Sequence, residues 1–257
     1  MYTETEGIIL KQTKIVGGRR MVLLFSKKFG KISAGSSINE KGKGKSALAM
    51  RPFTHGRYEL FKKNDFFNIN GAQAIKSFYH LGEEVGKYMC ASYGLEFTEK
   101  ILQELQPAPR LFNLTIDFLA EMERRKSKHE TLLLAYEVKA LKELGYTPQL
   151  SQCVLCNSTE ERGFFSIKDG GAVCKKCYPQ LKKYTDDSLI YPVNSDILNI
   201  LEYFLMNPLR SLEKLALNEE ILQQIWPMIR HYAAYYLDLG TLKSERCLTQ
   251  FCTGNQE

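Results

Sequence analysis

Four cysteines in two tight pairs restrict this chain more than anything else in it. Cys153-Val-Leu-Cys156 is followed, after a spacer of seventeen residues, by Cys174-Lys-Lys-Cys177. Two residues between cysteines allow a tight turn that aims both sulfurs at one point. Two such pairs supply the four soft ligands of a closed tetrahedral zinc site. The spacer also brings the pairs together, because Phe164–Ile167 and Ala172-Val173 read as short strands joined by a turn at Asp169-Gly170-Gly171. Two disulfides are the competing reading. They need an oxidising compartment, and the polar, acidic start Met1–Glu6 lacks the apolar core of a signal peptide. A redox Cys-x-x-Cys would stand alone beside a βαβ pattern, which is absent here. Four sulfurs leave no position for an activated water, so one structural zinc per chain is expected.

The charge is divided unevenly. Residues 1–80 hold fifteen Lys and Arg against five Asp and Glu, whereas residues 81–257 hold twenty against twenty-four. This split predicts a basic module that meets a polyanion, joined to a body with another task. No run of eighteen apolar residues is present, so no membrane span is expected. Seven cysteines, four of them assigned to zinc, fit a reducing cytoplasm, and Cys90, Cys247 and Cys252 read as buried small hydrophobes or idle thiols.

The basic module reads as β-structure. Glu6–Thr13, Met21–Ser26, Lys31–Gly35, His55–Lys63 and Phe66–Asn70 are short runs rich in branched and aromatic residues, separated by turn signals. Five such strands in about eighty residues predict a small closed barrel, with the oligonucleotide-binding (OB) fold first and an SH3-like barrel giving much the same pattern. Ser36–Ser46 is a polar connection carrying Lys41, Lys43 and Lys45 between glycines. It reads as a mobile cationic loop able to close over a phosphate backbone, or as a solvated loop. Its Gly44-Lys45-Ser46 imitates the end of a P-loop, but Asn39 stands where that motif needs its first glycine. Lys11, Lys14, Arg19, Arg20, Lys27, Lys28, Lys31 and Arg51 fall near strand ends and turns and join the three loop lysines as candidate phosphate contacts. Phe25, Phe29, Phe53, Tyr58 and Phe61 are interleaved with these cations, each a base-stacking platform or barrel core; Phe25 and Phe53 read as core, and Phe29, beside a turn glycine and flanked by lysines, is the better candidate for stacking.

From Leu81 the apolar period becomes helical. Helices are expected before Pro107, from Leu111 to about Lys128, and from Leu132 to Leu144 with Gly145 as cap. Ser195 is expected to cap another, and Asn218 to open a last one that contains Pro227, a predicted kink, and ends at Gly240. The expected architecture is therefore α+β and multidomain. An OB-type barrel at 1–80 precedes a helical bundle at 81–257, with a four-cysteine zinc hairpin inserted at about 150–184. His55, His80, His129 and His231 are scattered without nucleophile partners at motif spacing, and no paired-carboxylate or nucleotide-binding motif appears. A binding protein, and no enzyme, is expected.

The order of segments resembles the bacterial RecO family of recombination mediators. The resemblance runs over nearly the whole chain: Gly7-Ile-Ile-Leu-Lys11, Phe29-Gly30-Lys31-Ile32, Lys45-Ser46-Ala-Leu with Pro52-Phe53, and Pro107-Ala-Pro109 to Leu111-Phe112. It continues through Gly145–Cys156, Gly170–Cys177 and Leu239-Gly240-Thr-Leu-Lys243-Ser244. Where the family usually has Gly-Glu before the second strand, this chain has Gly17-Gly18-Arg19-Arg20, which makes the barrel more basic. The resemblance implies an OB-fold that binds single- and double-stranded DNA, anneals complementary strands and helps load RecA onto strands coated by single-stranded DNA-binding protein. It further implies RecR as a partner, docking of the coating protein's acidic tail on the helical body, and a cytoplasmic, nucleoid-associated place of work. Two other readings stand beside it: a zinc-ribbon protein that binds RNA or serves transcription, and a scaffold whose basic barrel meets acidic protein tails.

Overall fold

Alternation of apolar and polar residues in the first third of the chain becomes a closed barrel. The computed structural model describes residues 1–14, 20–38, 42, 44–64 and 66–245. The barrel strands are β1 (Tyr2–Lys14), β2 (Arg20–Ser26), β3 (Gly30–Ser36), β4 (Thr54–Lys63) and β5 (Phe66–Ser77). Their spatial order is β1-β2-β3-β5-β4, closed by antiparallel pairing of β4 with β1. β3 runs parallel to β5 over Ala34–Ser36, and the other pairings are antiparallel. This order, with a short helix between β3 and β4, selects the OB-fold over the SH3-like alternative. Alternate residues point inward, so Ile9, Val22, Leu24, Ile32, Ala34, Leu60, Phe67 and Ile69 share one core.

That short helix, α1 (Lys45–Ala49), starts in the last two residues of Ser36–Ser46, the stretch that reads from sequence as a loop, and runs three residues past it. It buries Ala47 and Ala49 with Met50 behind them, and the Tyr58 hydroxyl donates to the Ala49 carbonyl at 2.6 Å inside the barrel. β5 runs seven residues past its expected end at Asn70. A bulge opposite Glu59-Leu60 absorbs the extra residue, and pairing with β4 then continues to Ser77.

The chain divides into two compact units, Met1–Arg125 with the segment from Thr241, and Lys126–Gly240. In the first, α2 (Val85–Ile101) and α3 (Pro109–Arg124) accompany the barrel. Pro109 sits at the start of α3, where its missing N–H costs nothing. Phe112 of α3 meets Phe25 edge-to-face at 5.3 Å and His55 at 5.7 Å. α2 and α3 approach so closely that a Cβ on Gly94 would stand 2.5 Å from the Phe118 ring.

The second unit centres on α4 (His129–Glu143), which is buried on nearly every side. Gly145 at φ 88° ends it as expected, returning an N–H to the Lys142 carbonyl. A three-stranded sheet follows, β6 (Arg162–Ser166), β7 (Gly171–Cys174) and β8 (Ile190–Pro192), with α5 (Tyr178–Leu181) between the last two. α6 (Ser195–Met206) and α7 (Glu219–Leu237) then pack on α4. Lys139 and Lys142 of α4 donate to the Phe204 and Leu205 carbonyls at the end of α6, completing its last turn. The α6 cap is Asn194, one residue before the expected Ser195, accepting from Ile197 N at 2.9 Å. Asn218 caps α7 as expected, and Pro227 lies inside that helix. α7 stops at Leu237, because Asp238 turns left-handed at φ 50° before Gly240 is reached.

Glu96 of α2 holds the segment after Gly240. Its carboxylate accepts from Lys243 N, Ser244 N and the Ser244 hydroxyl at 2.6–2.8 Å, capping the helical residues 243–245. Burial alone would raise the Glu96 pKa, but the hydrogen bonds from Ser244 and Lys243 outweigh it and leave the group below its ordinary range. A depressed folded-state pKa stabilises fully above the unfolded value and loses its effect as pH falls through the folded one. Glu96→Ala should therefore cost about 1 kcal/mol at neutral pH. The difference in melting temperature between this variant and the wild type should persist to the ordinary glutamate range and close in stronger acid.

Candidate nucleic-acid interface and metal centre

Cys153 reaches Cys174 because the chain before the first cysteine pair runs alongside β7. Gln149 N donates to the Gly170 carbonyl, Ala172 N to the Gln149 carbonyl, and Val154 N to the Ala172 carbonyl, at 2.8–2.9 Å. Gly170 takes the turn conformation at φ 79°, and Gly171 lies so near Gln149 that a Cβ would meet its carbonyl oxygen at 2.2 Å. Each pair then closes its own knuckle. Asn157 N bonds the Cys153 carbonyl at 2.9 Å, and Cys177 N bonds the Cys174 carbonyl at 3.1 Å.

The sulfurs of Cys153, Cys156, Cys174 and Cys177 lie within 4.8 Å of one another, and Cys156 Sγ is 3.7 Å from Cys174 Sγ. A tetrahedral ion with metal–sulfur bonds of about 2.3 Å needs sulfurs about 3.8 Å apart, so the four could hold one metal ion. Their chemistry agrees. Burial opposes ionisation of Cys153, yet hydrogen bonds from the backbone at Cys174, Leu155 and Cys156 bring its thiol down to about 7. Cys177 is pushed up to about 12, by burial first and then by the thiols of Cys156, Cys174 and Cys153. Four thiols this close resist ionising together unless a cation shares their charge. Cys153 and Cys174 rest on Val173 and Leu181, with Phe164 stacked on Tyr178 at 3.7 Å beside them. Among the described residues this is the cysteine, histidine and carboxylate group able to hold a metal.

The candidate phosphate contacts fall at two ends of the barrel. Lys14 faces Arg20 across β1 and β2, and Lys11 stands exposed just past the bulge in β1. Arg20 donates to Gln12 Oε1 at 3.1 Å, and Gln12 donates to the Met50 carbonyl, next to exposed Arg51. Lys45 opens α1 at the same end. Lys27, Lys28 and Phe29 form the β2–β3 turn at the other end, beyond a seven-residue strand. At about 3.3 Å per residue the two groups stand about 20 Å apart. Lys27 lies 3.8 Å from Glu6, and Lys28 donates to Thr3 Oγ1 at 2.9 Å. Phe29 is half-buried against Phe67, with ring centroids 5.5 Å apart. Lys31 turns away from both groups and donates to the Glu99 carbonyl at 2.9 Å, in the last turn of α2. Arg19, Lys41 and Lys43 lie outside the described residues.

A further group gathers at the β4–β5 tip, and of its members the sequence singles out Phe61 alone. The β4–β5 tip brings exposed Lys62 and Lys63 beside Phe66, which is 74% exposed, and Tyr2 of β1 lies across from Phe61 of β4. The register of β4 with β1 and β5 gathers them, and alternation within β4 alone carries the signal: Phe61 and Lys63 must share the outer face.

Family models cover nearly all of the chain. The N-terminal domain of recombination protein O matches residues 1–78, and the C-terminal domain of the same protein matches residues 82–246. The chain belongs to the RecO family. It is 30% identical over 239 residues to the DNA repair protein RecO of Alkaliphilus metalliredigens, covering 93% of this chain and 95% of that one. The RecO protein of Caldanaerobacter subterraneus is 28% identical over 238 residues, covering 93% of this chain and 94% of its own. That of Bacillus pumilus is 26% identical over 250 residues, covering 97% and 94%. The RecO family assigns the chain to DNA repair and recombination. Among the described residues, no helix is long and apolar enough to cross a membrane.

A metal ion at the four thiols should couple to stability, because ion binding to the folded state adds RT ln(1 + [M]/Kd). Chelation should lower the melting temperature of the wild type, with a loss of about 4 kcal/mol where free metal had stood a thousandfold above Kd. Cys174→Ser should melt lower than the wild type and be insensitive to chelator, with metal content measured on the same samples.

Proposed function

We propose that this RecO-family chain is a non-catalytic recombination mediator that binds single- and double-stranded DNA through its barrel. In this reading residues 1–80 contact DNA, and residues 81–257 carry the partner-binding surfaces and the hairpin at about 150–184. The chain anneals complementary strands and helps load RecA onto strands coated by single-stranded DNA-binding protein. Its partners are RecR and the acidic tail of the coating protein, and it works in the cytoplasm at the nucleoid. The observation that carries the proposal is an OB barrel with exposed cations at both ends, in a chain whose relatives are named for DNA repair.

The physical mechanism is charge exchange. Lysines and arginines replace counterions condensed along each phosphate backbone, which adds affinity that salt removes. Two strands held on a cationic surface repel each other less, and their bases then find partners by pairing alone. Lys14, Arg20, Lys45 and Arg51 at one end, and Lys27 and Lys28 about 20 Å away, give a strand two points of hold. An OB-fold ordinarily covers about 4–16 nucleotides, which fits that separation. The metal at the four cysteines is zinc. It fixes the hairpin and supplies no chemistry to DNA.

The test is a salt titration of oligonucleotide binding, followed by strand annealing with the coating protein present. Replacing Lys14, Arg20, Lys45 and Arg51 together by Ala should flatten the slope of log K against log salt by about 3 on single strands. Annealing should slow in step. Unchanged annealing in this variant, or no oligonucleotide binding by the wild type in dilute buffer, would sink the proposal. Competition by structured RNA stronger than by single-stranded DNA would point to the zinc-ribbon RNA reading instead.

A further inference from the structure

The outer face of the barrel at the β4–β5 tip shows aromatic rings to solvent with lysines at their border. Tyr2 and Phe66 are each 74% exposed. Tyr2 and Phe61 face each other across β1 and β4 with ring centroids 4.9 Å apart. Phe66 pairs with Lys63 and Phe61 pairs with Asn68, so Phe61 and Phe66 are diagonal neighbours on one face. Single exposed rings are ordinary on protein surfaces, but a packed pair with a third exposed ring one diagonal step away, on three neighbouring strands, forms a platform. The charges around it have a direction. Lys63 stands beside Phe66 on the outer face, while the Lys62 and Lys28 ammoniums lie at the barrel mouth, 5.3 Å from the Phe67 ring and 5.4 Å from the Phe29 ring. On the far side, one row along the strands, Glu4 faces Glu59. A polyanion is thus drawn to the tip and turned away from the middle of the sheet.

We infer that Tyr2, Phe61 and Phe66 are a base-stacking platform for a single polynucleotide strand, with Lys62 and Lys63 holding its phosphates. This rests on the proposed DNA binding and adds to it a site that discriminates unpaired from paired strands. Unpaired bases can lie flat on a ring, whereas bases stacked in a duplex offer no face. The cations at the two barrel ends hold either kind of strand; the rings select the unpaired one. An annealing protein needs this difference, because the duplex it makes must leave the site where the single strand was held.

The experiment compares three ligands of equal length: a thymidine oligonucleotide, an abasic strand with the same phosphates, and a duplex. The wild type should bind the thymidine strand more tightly than the abasic one. Phe66→Ala, and Tyr2→Ala with Phe66→Ala, should each weaken thymidine-strand binding by about tenfold or more. Both should leave abasic and duplex affinities, the salt slope and the melting temperature unchanged. Phe66→Trp should restore or strengthen binding. Variants that bind the thymidine strand as well as the wild type would overturn the inference and leave the rings as a surface for another protein. An equal loss on all three ligands would overturn it too, because the rings would then act through barrel shape. Failure of the wild type to bind any of the three would remove the proposed function itself, and the platform with it.

Discussion

A sheet of five strands has two edges to hide, and in this barrel one strand hides both. β1 pairs with β4 through Tyr2–Ile8 and with β2 through Gly7–Lys14, so Gly7 and Ile8 carry partners on both sides. That crossing is crowded. A Cβ on Gly7 would stand 2.8 Å from a Leu24 methyl, and the bulge between Ile9 and Lys11 turns the strand onward. The position of the candidate cations on the barrel follows from the closure. It gathers the β2–β3 turn and the β4–β5 tip at one mouth, and the β1–β2 end with α1 at the other.

Much of this was legible in the sequence, and the exceptions have identifiable causes. The strands announced themselves through alternation, the cysteine knuckles through spacing, and Gly145 through the need for a left-handed residue after α4. The apolar run that marks β5 ends at Asn70, whereas the strand continues through Gly71. That glycine leaves room for a side chain: the Glu59 carboxylate occupies the space, and a Cβ on Gly71 would stand 2.5 Å from it. α1, with five residues, and β8, with three, are too short to establish a period. The caps at Asn194 and Asp238 each lie one or two residues from the expected ones, since neighbouring polar residues compete for the same terminal N–H or left-handed position.

The candidate site was less legible than the fold, and Lys31 shows why. Charge counted along a chain does not reveal which ammonium faces solvent and which faces a carbonyl. Lys31 completes the end of α2, and Phe29 leans on Phe67, while Lys62, Lys63 and Phe66 reach the surface from a hairpin that reads as ordinary barrel. The cysteines were the opposite case. Their geometry is local, set by two turns and one hairpin, and local geometry is what spacing encodes. Their sulfurs rest on Val173 and Leu181 in a small apolar cluster, an arrangement suited to stiffening the hairpin.

Gly30 carries a consequence for how the basic turn behaves. It sits at φ 71° with its missing Cβ only 2.0 Å from the Gln106 carbonyl, and the Lys31 carbonyl accepts from Leu105 N at 3.0 Å directly after it. The turn that bears Lys27 and Lys28 is therefore riveted to the linker ahead of α3. A polynucleotide tugging on those lysines pulls on the helices as well, so load applied at the rim of the barrel is passed inward through this backbone contact.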